Sequence, residues 1–279
     1  MCNGMPGFLH PGHGRPEMAK ASAAQVLSAS RRVEIGFYPH PVKAAVERMK
    51  RPFFWVWWCK IPSLLESWDI DWRRSAMQLS ITGLAGPPGQ ASTLEPNVPP
   101  AEVAWKSVEG LIRRGLRPEL IDWRHDPLVA GHNTSLQQIE SQARFARNLG
   151  VKRCITSFVA PYRKVVNRWP AVERALMEKD EQRSFALQMR DLLRSFEIEL
   201  LCCAQPHLED IVTPAACIDG SLYSRVTGLE FDTRRAEGQR PYCRCTRSLD
   251  IGWYLACPAG CLYCYASPAT PGRGAAPCG

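Results

Sequence analysis

Short apolar runs alternating with amphipathic stretches, polar clusters recurring just past those runs, and a length of 279 residues predict one large α/β domain. The expected architecture is a TIM-like (β/α) barrel, complete or partial, with about six strands. A chain of this size suits a single α/β domain without a split. Apolar residues form 45% of it and include 9 Trp and 9 Phe, enough bulky material for a full core.

Residues 1–24, rich in Gly, Pro, His and Ala without apolar periodicity, read as a disordered tail, or as an over-extended start with Met18 as the true beginning. The domain then spans 25–266. Its first expected strand is Val26–Ser30, followed by a helix near Pro41–Lys50. The window from Phe53 to Pro62 is the most apolar, but Lys60 and Pro62 interrupt it well short of the roughly 20 residues that span a bilayer. It reads as a buried strand, Phe53–Trp58. A third strand is expected at Gln78–Thr82; the glycines from Gly83 to Gly89 lack the lysine of a phosphate-binding loop. Pro100 suits a first helical turn and Gly115 a stop, which frames a helix over Pro100–Arg114. Strand Leu120–Trp123 precedes a helix over Ser135–Leu149, capped by Ser135 and ended by Gly150. Strand Cys154–Val159, helix Lys179–Phe196 and strand Glu197–Cys203 complete the set. Residues 267–279 are of low complexity and read as a second disordered tail.

Twelve cysteines need an explanation. The N-terminus has no basic region leading into an apolar run and no small-residue cleavage site, so a cytoplasmic, reducing location and no membrane association are expected. There, clustered cysteines favour metal over disulfides. Cys257-Pro-Ala-Gly-Cys261-Leu-Tyr-Cys264 places three thiols at x3 and x2 spacing with Tyr263 before the third. Three thiolates on one short loop can hold three irons of a cubane and leave the fourth without a protein ligand. A closed zinc site completed from Cys243-Arg-Cys245 is the alternative, although zinc ribbons usually pair C-x2-C knuckles. Cys59, Cys154 and Cys202, inside apolar runs, read as packing groups, and Cys2 and Cys278, in the tails, are excluded as ligands. Cys243 and Cys245 lie in a polar stretch, so a second metal site with Cys217 or Cys203 is a further expectation.

In a barrel of this kind the active site lies at the carboxyl ends of the strands. Arg31, Arg32, Lys60 and Arg124 fall there and are candidates for fixing a carboxylate of a cofactor or substrate. Glu34 and Asp126 could hold ribose hydroxyls, an amine or those arginines. An internal ion-pair network is the competing explanation. The net charge of +8 comes from scattered basic pairs rather than one tract, so nucleic acid is a possible but not favoured partner.

The cysteine loop resembles that of radical-SAM enzymes. The segment from Val26 to Ala266 also resembles the domain of unknown function 1848 family, whose carboxyl-terminal cysteines are similar to a radical-SAM cluster motif. The matching residues are Ser28-Ala-Ser-Arg-Arg32, Glu95-Pro-Asn-Val-Pro99, Trp123-Arg-His-Asp-Pro127, Ser157-Phe-Val159, Cys217-Ile-Asp219, Gln239-Arg240, Cys243-x-Cys245 and Ser248-x-Asp-Ile-Gly252, with the loop itself. Cys261-Leu-Tyr-Cys-Tyr-Ala266 alone is similar to spore photoproduct lyase and its relatives, which repair DNA. Val33-Glu34 stands where the family usually has Thr-Asp, and Cys59 and Ile61 flank Lys60 where polar residues are usual. The resemblance implies a [4Fe–4S] cluster on Cys257, Cys261 and Cys264, S-adenosylmethionine as cofactor, an electron donor such as a flavodoxin or ferredoxin, and radical chemistry on an unknown substrate. The rival classes are an iron–sulfur electron carrier or sensor and a zinc-stabilised nucleic-acid-binding protein. Unlike the usual radical-SAM order, the loop follows the whole domain, and a ring-shaped sheet would let the chain end return beside the first strand.

Overall fold

The computed structural model describes residues 25–47, 53–90, 92–252, 254 and 256–267. The two expected tails up to residue 24 and from 268, with Cys2 and Cys278, lie outside the described residues, as does the end of the first helix beyond Glu47. Eight strands form one sheet: β1 Gln25–Ala29, β2 Phe53–Cys59, β3 Ser75–Ser80, β4 Ile121–Arg124, β5 Arg153–Thr156, β6 Glu199–Cys202, β7 Thr213–Pro214 and β8 Leu249–Ile251. Every neighbouring pair is parallel. The order is β7-β6-β5-β4-β3-β2-β1-β8, so the class is α/β and all carboxyl ends lie on one side. No β7–β8 ladder closes a ring among the described residues.

Six α-helices accompany the sheet: α1 Pro39–Glu47, α2 Ala101–Arg113, α3 Leu136–Asn148, α4 Arg163–Arg168, α5 Lys179–Ser195 and α6 Gly220–Thr227. The capping signals act as expected. Ser135 Oγ accepts from the Gln138 N–H at 3.4 Å, and Gly115 and Gly150 leave their helices at φ of +111° and +80°, where a side chain would be strained. Pro100 is the residue just before α2 rather than its first turn.

Three strands depart from expectation by more than one residue at an end. β3 starts at Ser75, three residues before Gln78, because the small Ser75 and Ala76 enter the sheet directly after the charged Arg73-Arg74. β5 ends at Thr156; Phe158 keeps only an isolated bridge to Leu128. β6 begins at Glu199, since Glu197 turns with φ of +57°. β7 and β8, of 2 and 3 residues, have no apolar run to announce them. Nor did the short α4 and α6 show a long enough period.

Side chains alternate across the strands, and the two faces are covered differently. On one face Leu27, Trp57, Met77, Leu79, Trp123 and Leu200 pack against Trp105 of α2, Ile139 of α3 and Met189 of α5. On the other, Val26, Phe54, Val56, Ala76, Leu120, Ile155 and Leu201 meet Leu222 and Tyr223 of α6. Phe54 anchors that contact, 4.9 Å from the rings of both Tyr223 and Phe231. Asp219 caps α6, accepting from the Leu222 N–H at 2.9 Å. The connection from β7 toward β8 is tied by backbone: the Thr246 N–H donates to the Ile218 carbonyl at 2.9 Å. β8 approaches β1 so closely that a Cβ on Gly252 would stand 2.0 Å from Ser30 Oγ, which explains glycine there.

Truncating Phe54, fully buried between sheet and α6, removes that anchor. Phe54→Ala is expected to lower the unfolding free energy by about 3–5 kcal/mol, read from urea denaturation. Asp122 gives a pH signature. Burial pushes its carboxyl up to about 6 despite Arg153, at 3.1 Å, and Gln78, at 2.5 Å. A carboxyl whose pKa rises on folding contributes stability that is complete below its unfolded value near 3.9 and lost as pH passes about 6. Between pH 4 and 7.5 wild type should therefore lose about 3 kcal/mol relative to Asp122→Asn, measured as the difference between their denaturation midpoints across pH.

Candidate active site

At the carboxyl ends of the strands lies a cavity of about 510 Å³, lined by residues just past β1, β2, β4, β5 and β6 and by the 257–264 loop. It is where a parallel sheet with helical crossovers usually binds ligands. Cys257, Cys261 and Cys264 all face it, beside strand-end residues from far earlier in the chain, such as Arg31, Glu34 and Lys60. The expected return of the chain end to the strand ends is therefore present.

The loop is fastened from several directions. Tyr263 Oη donates to Glu95 Oε1 and accepts from Lys60 Nζ at 3.0 Å. Lys60 Nζ also donates to Glu95 Oε1 at 2.6 Å, and Thr82 Oγ1 to the same oxygen at 2.8 Å. Glu95 is 1% exposed, so its charge depends on these donors. Burial would lower the Lys60 pKa, but the Glu95 carboxylate, followed by Cys261, raises it overall. Asn97 Nδ2 donates to the Pro258 carbonyl at 2.8 Å, and the Leu262 N–H to the Leu94 carbonyl at 3.0 Å. From α4, Arg168 donates to the carbonyls of Cys264 and Leu262. The Glu34 N–H donates to Cys257 Sγ at 3.3 Å. Burial pushes the Cys261 thiol up to about 12, so a metal bound there must displace its proton. A second cavity, of about 400 Å³, borders Lys60 and Glu95 but has no cysteine in its wall.

The charged candidates are brought to the cavity, and most find partners within the chain. Arg32 pairs with Asp250 at 2.6 Å, Lys60 with Glu95, and Arg124 with Asp126. For these three the ion-pair network is the arrangement present. Asp126 also accepts from Ser157 Oγ. Glu34 Oε2 accepts from the Lys60 N–H at 2.5 Å and the Ile61 N–H at 3.3 Å, joining the ends of β1 and β2, while burial raises its pKa. Arg31 differs. Its Nη1 reaches Gln239 Oε1 at 3.3 Å, its guanidinium lies 5.1 Å from the Trp58 ring, and its buried Nε has no hydrogen-bond partner. Arg124 lies 5.2 Å from the same ring, so two guanidiniums share one indole.

The remaining cysteines separate into two groups. Cys59, Cys154 and Cys202 are packed in the core, and Cys59 also reaches the cavity wall. Cys203, Cys217, Cys243 and Cys245 are buried together and line the same cavity as the loop cysteines. Cys203 and Cys217 are 3.4 Å apart at sulfur, and Cys245 is within hydrogen-bonding reach of Cys217 and Cys243. Hydrogen bonds from Cys203 and Cys245, and next the charges of Arg124 and Arg31, hold the Cys217 thiol well below its ordinary range against the effect of burial. Among the described residues, no three His, Cys, Asp or Glu side chains are already arranged to hold a metal ion.

Glu95, Asn97, Trp58 and Arg240 were not singled out as site residues from the sequence. Glu95, Asn97 and Arg240 stood inside motifs of the family resemblance, and that was their signal. Arg168 had none.

Fold and site together define an α/β protein with a cysteine-lined cavity at the carboxyl end of a parallel sheet. The chain matches the family described as Domain of unknown function (DUF1848) over residues 27–266, and it belongs to that family. A search of curated proteins finds no match.

Replacing Glu95 by Gln leaves Lys60 buried without its counter-charge, which costs about 3–5 kcal/mol. Glu95→Gln should therefore unfold at lower urea. Its released loop should also expose Cys257 and Cys264 to faster labelling by a charged thiol reagent under anaerobic conditions.

Proposed function

We propose that the protein is a radical-SAM-like enzyme in which Cys257, Cys261 and Cys264 hold a [4Fe–4S] cluster facing S-adenosylmethionine and an unidentified substrate in the shared cavity. The observation that carries this reading is the convergence of three thiols from one C-x3-C-x2-C loop on a cavity at the strand ends. When bound, cluster and cofactor supply one-electron reductive cleavage to methionine and a 5′-deoxyadenosyl radical. The donor set fits a cubane with one open iron, since the loop offers three thiols and no fourth.

The chain's own groups position and enclose. Tyr263, Glu95 and Lys60 fix the loop on the strand ends. Arg31, stacked on Trp58 with Nε unpartnered, is suited to take a carboxylate. Phe158, Trp58 and Tyr265 wall the cavity and limit water. We read the eight-stranded sheet as a partial barrel that presents its mouth to this loop, the finer form of the α/β fold. A flavodoxin or ferredoxin would supply the electron, in a cytoplasmic setting. Among the described residues no helix is long and apolar enough to cross a membrane.

The decisive measurement is anaerobic reconstitution with iron and sulfide, then dithionite and S-adenosylmethionine, with assay for 5′-deoxyadenosine. Wild type should form it, and the variant with Cys257→Ala, Cys261→Ala and Cys264→Ala should not. An intact wild-type cluster that yields no 5′-deoxyadenosine would replace this reading by the electron carrier or sensor.

A further inference from the structure

Cys203, Cys217, Cys243 and Cys245 come from both margins of the open sheet. Cys203 directly follows β6, and Cys217 lies three residues past β7, one edge strand. Cys243 and Cys245 lie shortly before β8, the other edge. Buried free cysteines usually pack among apolar groups, as Cys154 and Cys202 do here. These four also border an apolar cluster, but two of them meet cationic donors. Arg124 Nη1 donates to Cys217 Sγ at 3.2 Å and Arg240 Nη2 to Cys203 Sγ at 3.1 Å. A guanidinium can only donate, so each of these sulfurs accepts a charge-assisted hydrogen bond.

We propose that Cys203, Cys217, Cys243 and Cys245 hold a single tetrahedral, thiophilic divalent ion of the zinc class, separate from the loop site, which fastens the two edges of the sheet. Spacing separates one ion from a second cubane. A tetrahedral ion with metal–sulfur bonds of about 2.3 Å sets its sulfurs about 3.8 Å apart. Cys203 and Cys217 already stand at 3.4 Å, with Cys245 and Cys243 next in the chain of contacts. A cubane instead gives each thiolate its own iron and keeps the thiolates further apart. The thiols are now turned toward one another in pairs rather than about a common centre. Binding needs rotation about their Cα–Cβ bonds and release to solvent of each thiol proton still present, giving a metal–tetrathiolate centre of net charge −2 beside Arg124 and Arg240. The proposal does not depend on radical chemistry at Cys257, Cys261 and Cys264.

The test uses the full chain carrying Cys257→Ala, Cys261→Ala and Cys264→Ala, purified anaerobically without chelator from zinc-supplemented cells. About one zinc per chain, no labile sulfide, and X-ray absorption showing about four sulfurs near 2.3 Å are expected. Adding Cys217→Ser and Cys245→Ser should cut the bound zinc at least tenfold. If the triple variant does not fold, wild type with its loop cluster assembled gives the same reading as one zinc beyond the iron. Negligible metal, a retained iron–sulfur chromophore in the triple variant, or a Cys203–Cys217 disulfide in the anaerobic protein would each overturn the proposal.

Discussion

The contact between Glu95 and its three donors, Lys60, Thr82 and Tyr263, decides where the end of the chain lies. A carboxylate this deeply buried is tolerable only with its hydrogen bonds complete. Two donors come from the ends of strands, and the third comes from the cysteine loop. Undocking the loop would strip the Tyr263 hydroxyl from Glu95 and expose its ring, so the electrostatics of the sheet and the position of Cys257, Cys261 and Cys264 are coupled. Asn97 and Arg168 add neutral and cationic donors to loop carbonyls, which limits the ways the loop can rotate about Tyr263.

Much of this was legible in the sequence, for identifiable reasons. β2 was readable because seven consecutive bulky residues, Phe53 to Cys59, fill both faces of the sheet. α3 was readable because Ser135 and Gly150 are chemically suited to its ends. β7 and β8 were not, because strands of 2 and 3 residues carry no period and owe their conformation to their neighbours β6 and β1. The charged residues at the strand ends were found, but not their partners. Nothing local tells that Lys60 meets Glu95 across a proline-rich connection, or that Tyr263 reaches it from 168 residues away. Pairing of this kind is set by tertiary topology.

The consequence for the charged candidates is chemical. A lysine or arginine already paired with a carboxylate offers an incoming anion little unless that pair opens, which costs the desolvation of whatever is left behind. Arg32, Lys60 and Arg124 are in that position. Their effect on the cavity is to fix its walls and set its field, while Arg31, held by stacking and one amide, keeps donors for a ligand.

The same topology explains why the cysteines fall into three environments. A parallel sheet that runs from β7 to β8 without a closing ladder leaves two edges whose backbone groups need cover. The segment from Ile218 to Thr246 provides some of it through the Ile218–Thr246 hydrogen bond, and this brings Cys217 and Cys245 together beside Cys203. Residues on the face covered by α2, α3 and α5, such as Cys154, pack among aliphatic and aromatic side chains and serve as small packing groups. Residues on the loop beyond β8 face the cavity, with Cys257 also packed against the core. Thiols of one chemical type are thus divided by the sheet's two faces and its open margin, and those at the margin and on the loop line the cavity at the strand ends.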